Sequence, residues 1–236
     1  MTSHPGRALY SIARYWRSMG IQQLALTLPE EEQPSPEAIA LEKQAHFDTL
    51  LPLVESCQKC ELHKNRKQAI LGSGNIQSPI VFISGPPDEH SDQDHEPLKG
   101  EVGELFDKMI EKMGFKRENL YITNIVKCRP PEDRHATNTE LTECHSWLEK
   151  QLELISPPII ITLGSVATKA LLKLEAPITQ LRGNFHQWKE AFVMPTYHPA
   201  YLLKKNTAKR EVWNDMLAVL EKLNSLNVKS YATAEN

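Results

Sequence analysis

Four short apolar runs constrain this chain most, each rich in β-branched or aromatic residues and bounded by Gly, Pro or Asn. They are "PIVFIS" (Pro79–Ser84), "NLYITNIV" (Asn119–Val126), "PIIITLG" (Pro158–Gly164) and "AFVMPTY" (Ala191–Tyr197). Helix-period segments lie between them: Gly103–Met113, Asn138–Leu154 (opened by Thr139 to Thr142) and Ser165–Leu174. Another, Ala38–Val54, precedes the first run. Strands alternating with helices predict an α/β fold, three-layer α/β/α with a mostly parallel central sheet. Ligand sites in such folds form beyond the carboxyl ends of the strands. Here those exits read Ser84-Gly85-Pro86-Pro87-Asp88, Asn124, Leu163-Gly164-Ser165 and Tyr197-His198-Pro199. They bring an amide, an imidazole and a glycine-proline turn towards one edge. Asn124 and Cys128 at the end of a buried strand add nothing to packing that Val or Ile would not do better, so both answer to something outside the core.

The 236 residues, 40% hydrophobic and 24% charged, suffice for one substantial core with an appended segment. A formal charge of -3 excludes a broadly cationic surface, so nucleic-acid binding would need a local basic patch. No apolar run reaches the ~18 residues of a membrane span. Residues 1–27 are expected to form an accessory amphipathic helix, with Leu9, Ile12, Trp16 and Met19 at helical spacing. Their arginines without acids faintly resemble a transit peptide, but the apolar stretch of a secretory signal is missing. Residues 28–37 read as an acidic, proline-rich linker, 38–226 as the main domain and 227–236 as a disordered tail. A cytoplasmic location is expected.

The cysteines number four: Cys57 and Cys60 in a C-x2-C pair, then Cys128 after a strand and Cys144 in the next helix. Disulfides do not suit an intracellular chain, where thiols stay reduced. Buried free cysteines are the plain alternative, but a C-x2-C pair beside Lys59 and Lys64 is not a core pattern. A four-thiolate metal site reads better. Zinc ribbons normally close with a second tight knuckle, absent here. A cubane cluster accepts one tight pair and two distant thiolates, because it presents a separate iron to each. Spacing leans towards iron-sulfur without deciding it.

In these residues the chain resembles the uracil-DNA glycosylase superfamily, specifically its type 4 (iron-sulfur) branch, over roughly Ser56 to Leu223. The matching pieces are "CQKCELHKNR", "TNIVKCRPPEDR" with Cys144 at the family's spacing, "IIITLGSVATKALL", "LRG" at Leu181 to Gly183, and "PTYHPAYLLKK". The resemblance implies that Cys57, Cys60, Cys128 and Cys144 hold a [4Fe-4S] cluster. It implies a monomeric hydrolase that excises uracil from DNA, with DNA as partner and the base flipped out of the stack. Asn124 would read uracil, donating to O4 and accepting from N3–H, a pattern that cytosine reverses. His198 would meet the oxygen on which negative charge gathers, where one aligned bond contributes about 3 kcal/mol. Turn-capping and loop-carbonyl bonding are the plain readings of these two.

DNA contacts are expected after His198, with Leu202 as a wedge in the stack and Lys204, Lys205, Lys209 and Arg210 at phosphates. Alternatively, Leu202 and Leu203 pack inward and the charges form a solvated face. Arg129 and Arg134, with Lys64, Arg66 and Lys67, would extend the basic face.

The chain departs from the type 4 pattern in two places. A Gly-Glu-Ala-Pro-Gly turn falls on "SGPPD", so the family acid becomes Gly85, and the stacking phenylalanine of a Pro-Phe-Val-Gly segment becomes Leu98. Asp88, Glu89 or Asp92 are candidates to replace the acid. Gly85, Pro86 and Leu98 still count as expected substrate contacts, the turn through its backbone. These losses also admit a second reading, a catalytically degenerate module that binds DNA or a repair partner. A zinc-stabilised scaffold is a third.

Overall fold

Each apolar run becomes a strand in the computed structural model, which describes residue 19 and residues 35–226. The chain divides into two units, Met1–Ser35 and Pro36–Asn236, and the architecture below is that of the second. Apart from Met19, the expected accessory helix lies outside the described residues, as do the expected tail and all but the end of the linker.

Four parallel strands form the centre of a six-stranded sheet: β2 (Ile80–Ser84), β3 (Tyr121–Asn124), β4 (Ile159–Leu163) and β6 (Ala191–Thr196), in the order β3-β2-β4-β6. Two very short strands run antiparallel at the edges, β1 (Ser73–Gly74) on β3 and β5 (His186–Trp188) on β6. Every residue of β2, β3 and β4 is buried, as expected of strands covered on both faces. Alternate side chains serve opposite faces.

On one face Val81, Ile83, Tyr121, Ile160 and Val193 join Phe47 of α1 (Pro36–Asp48), Leu50 and Val54 of α2 (Leu50–Glu55), and Leu148 and Leu152 of a longer helix, Asn138–Ile155. On the other, Ile80, Phe82, Ile122, Ile161 and Met194 pack with Phe106 and Ile110 of Gly100–Lys112 and with Val212, Met216 and Val219 of Lys209–Ser225. Phe82 meets Phe106 edge-on at 5.0 Å between ring centres. The sheet between two helical layers bears out the expected three-layer α/β/α class.

The remaining helices in chain order are α3 (Glu89–Asp94), α4 (Gly100–Lys112), α5 (Asn138–Ile155), α6 (Gly164–Leu172), α7 (Ile178–Leu181), α8 (Pro199–Lys204) and α9 (Lys209–Ser225). The expected helix Ala38–Val54 is two, because Pro52 has no N–H to give the Asp48 carbonyl, and α1 ends there. Helix α5 starts at Asn138 as expected, but its cap is Thr137, two residues before the expected opening at Thr139: its Oγ1 accepts from Glu140 N–H at 3.3 Å, and Glu140 Oε2 accepts from Thr137 N–H at 2.8 Å. Strand β3 stops at Asn124, short of Val126, because the chain then turns towards the cysteines and Lys127 O pairs with Ile70 N–H at 2.7 Å.

Candidate active site and thiol pocket

Sheet register brings the first two exits together. Ser84 of β2 is the paired neighbour of Asn124 of β3, and Ile125 N–H extends the ladder to Ser84 O at 2.9 Å. Asn124 is 1% exposed. Its Nδ2 donates to Gly85 O at 2.7 Å, which fixes the amide plane. Its Oδ1 is buried with no partner among the described residues. An orphan buried acceptor costs about 1–3 kcal/mol, a cost that a ligand donor would relieve.

His198 reaches the same edge from β6 as the N-cap of α8, with Pro199 at the first helical position. Ala200 N–H donates to its Nδ1 at 3.1 Å. Burial pushes the imidazole down to about 4, against a smaller opposing pull from Asp88, so the ring is neutral at pH 7. With Nδ1 accepting, the proton is on Nε2, and that N–H donates to Ser84 Oγ at 2.9 Å. Gly164 opens α6 directly from β4 at φ +84, and a Cβ there would stand 3.1 Å from the Cβ of His198. The expected pair, Asn124 and His198, thus meets through Ser84.

The Gly85 turn is open: apart from its own chain neighbours, no atom of the described residues lies within 4 Å of where its Cβ would be. Pro86 is half-buried beside it. Of the three expected replacements for the family acid, Asp88 caps α3 through Ser91 N–H at 2.9 Å, Asp92 is buried and accepts from Lys67 N–H at 3.3 Å, and Glu89 is exposed. Only Asp88 acts on the His198 ring electrostatically.

Two residues expected to touch substrate or DNA are buried in the core. Leu98 is 4% exposed and packs in the core on the Phe106 side of the sheet, with its carbonyl taking Arg117 Nη2 at 2.8 Å; a branched side chain with no flat face gains more from packing than from stacking. Leu202 is also 4% exposed in that core, as the inward alternative expects, but Leu203, expected inward with it, is exposed on α8 together with Tyr201.

The basic residues divide in two groups. Arg129 is engaged by Asp133 at 2.7 Å, Arg134 by Glu140 at 2.7 Å and Lys64 by Glu61 at 2.6 Å. Lys204, Lys205, Lys209 and Arg210 are exposed, and none forms an ion pair among the described residues.

Cys57, Cys60, Cys128 and Cys144 line one pocket with Arg66, Lys127 and Trp147. N–H donors meet the sulfurs: Trp147 Nε1 to Cys57 at 3.2 Å, Arg66 Nη1 to Cys128 at 3.0 Å and Lys127 N to Cys144 at 3.2 Å. Burial pushes the Cys144 thiol up to about 12, and raises Cys128 and Cys60 as well. No group of three or more His, Cys, Asp or Glu among the described residues is arranged to hold a single metal ion.

Lys127 joins the two sites. Its ammonium is buried and donates to Thr123 Oγ1 at 2.6 Å, Asn124 O at 3.0 Å and Leu71 O at 3.3 Å, and burial lowers its pKa to about 7. Sequence reasoning missed both Lys127 and Ser84. The available signals were a lysine inside an apolar run, and a hydroxyl where the type 4 turn has its first glycine.

A family model described as "Uracil DNA glycosylase superfamily" matches residues 71–217. The chain is 39% identical over 190 residues to a type-4 uracil-DNA glycosylase of Saccharolobus solfataricus, covering 76% of this chain and 88% of that one. It is 38% identical to one of Thermotoga maritima (69% and 87% covered) and 34% identical to one of Archaeoglobus fulgidus (74% and 92%).

Proposed function

Because the chain belongs to the uracil DNA glycosylase superfamily, in its type-4 branch, we propose that it excises uracil from DNA by hydrolysing the N-glycosidic bond. The observation that carries this reading is the Asn124 amide: its Oδ1 is buried without a partner among the described residues, while Nδ2 has a second hydrogen beyond the one given to Gly85 O. Uracil supplies the complement, N3–H for Oδ1 and O4 for the spare hydrogen, and cytosine presents the reverse.

The base must leave the stack to reach this edge. The C1′–N1 bond then breaks, its electron pair goes to the base, and water adds to C1′ and releases a proton to solvent. A neutral His198 with its proton on Nε2 is a donor, not a base, so it serves the departing anion. Lys127 bonds the Asn124 carbonyl and so holds the strand end that aims the amide. Lys204, Lys205, Lys209 and Arg210 would take phosphates, and Leu203 or Tyr201 replaces Leu202 as the side chain able to enter the stack. The protein would act as a monomer in the cytoplasm, where its thiols stay reduced.

Cys57, Cys60, Cys128 and Cys144 would hold a [4Fe-4S] cluster. The donor set fits: the four thiols line one pocket, and N–H groups face sulfur as they do around thiolate-bound clusters. When bound, the cluster would supply a cross-link between the segment before the sheet, the β3 exit and α5.

The open space at Gly85 favours the second reading, a module that binds without turnover, since no carboxylate stands there. A strand-nicking assay on a uracil-containing oligonucleotide decides between them. Wild type should nick after alkali, and His198→Ala and Asn124→Ala should be at least 100-fold slower (about 3 kcal/mol). Equal background from all three at enzyme excess leaves only the binding module. Brown protein absorbing near the blue end of the visible, bleached by ferricyanide, is expected for the cluster; colourless, zinc-containing protein would refute it.

A further inference from the structure

The His198 ring is held by Ala200 N–H, which bonds Nδ1 at 3.1 Å. Swinging away from Ser84 would break that contact. The Nε2–H therefore stays on Ser84 Oγ, 2.9 Å away. Ser84 accepts this bond, and its own proton has no acceptor among the described residues. Register partners on neighbouring parallel strands point to the same face, so this free proton emerges beside the Asn124 amide, whose Oδ1 also lacks a partner. Ser84 is 2% exposed, so water does not compete freely for it.

We propose that Ser84 is a catalytic residue: its O–H, polarised by the His198 Nε2–H, is the donor that meets the oxygen of the departing uracil. The inference rests on the glycosylase reading and specifies its anion site. As the C1′–N1 pair passes to the base, charge spreads to the carbonyl oxygens and the Ser84 O–H···O bond strengthens. The Nε2–H···Oγ bond strengthens with it, and no proton changes owner along the relay. The hydroxyl is this chain's own device, since the type 4 turn has a glycine at the matching position.

Single-turnover excision from a uracil-containing oligonucleotide, run beside binding of the same oligonucleotide, tests this. Ser84→Ala should slow excision about 100-fold, with binding changed less than about 2-fold. Adding Ser84→Ala to His198→Ala should cost little more than His198→Ala alone, because the two act as one unit. An Ser84→Ala enzyme as fast as wild type, or losses that multiply in the double variant, overturns the serine's role. Should Ser84→Ala melt well below wild type, Ser84→Thr against Ser84→Val, matched in shape, gives the same ratio: a faster threonine variant supports the relay and equal rates refute it. If wild type releases no uracil, the glycosylase reading itself falls; if wild type is active and Ser84→Ala equally so, only this inference does.

Discussion

Burial keeps His198 neutral, and that has a cost in acid. Its ordinary pKa of 6.5 drops to about 4 in the folded chain. Between those values the unfolded chain takes up a proton that the native ring refuses, so stability falls as pH drops from 6.5 towards 4, by about 3 kcal/mol at most. Asp88 facing the ring softens the loss. Urea unfolding at pH 7 and pH 4.5 should show a smaller acid loss in His198→Gln than in wild type; identical losses would mean the ring is not desolvated. At Gly85 the open space and ordinary backbone accept a side chain, so Gly85→Glu should fold normally and raise the excision rate about 10-fold or more by placing a carboxylate near the sugar cation. An unchanged rate would show that another group already serves there. Asn124 and His198 stood out in the sequence because both fall at strand exits and inside motifs of the family that the chain resembles; by themselves they read equally as a turn cap and a loop bond. Ser84 was not, since a serine before Gly-Pro-Pro reads as turn chemistry until the ring that bonds it is known.

The element that presents His198, the exit of β6 into α8, is braced from α9. Asp215 of α9 is buried and accepts from Thr196 Oγ1 at 2.6 Å and from Arg182 Nε at 3.1 Å; Arg182 also lies 5.3 Å over the Tyr197 ring. This gives "LRG" its purpose, because Gly183 leaves room for the Asp215 carboxylate where a Cβ would come within 3.1 Å. Asp215→Ala leaves Arg182 with Glu211, 3.3 Å away, as its remaining carboxylate and takes the buried acceptor from Thr196, and should destabilise the fold by about 1–3 kcal/mol in urea unfolding. A loss under ~1 kcal/mol would mean that the pair is solvated and not structural. The central strands were readable because each is a continuous apolar run. The edge strands β1 and β5 were not, having two and three residues, too few for any period to show. Helix α9 carried its signal openly in Val212, Met216, Val219 and Leu223, while the lysines just before it drew a reading as DNA contacts alone.

Across the whole molecule the balance is -3, yet Lys204, Lys205, Lys209 and Arg210 stand together without a carboxylate partner among the described residues, where α8 gives way to α9. Four phosphate contacts predict a log–log salt slope for duplex binding of about -3 to -4, and replacing Lys204 or Lys205 by Ala should each shallow it by about one. A slope near zero would place the DNA face elsewhere. The sheet's short margins bear on how such molecules behave at high concentration. A row of unpaired backbone amides invites another chain to add on, but β1 and β5 run against their neighbours and offer only two and three residues of it. Among the described residues, crowded copies therefore meet only a short ribbon at either margin, a poor template for edge-on stacking into fibres.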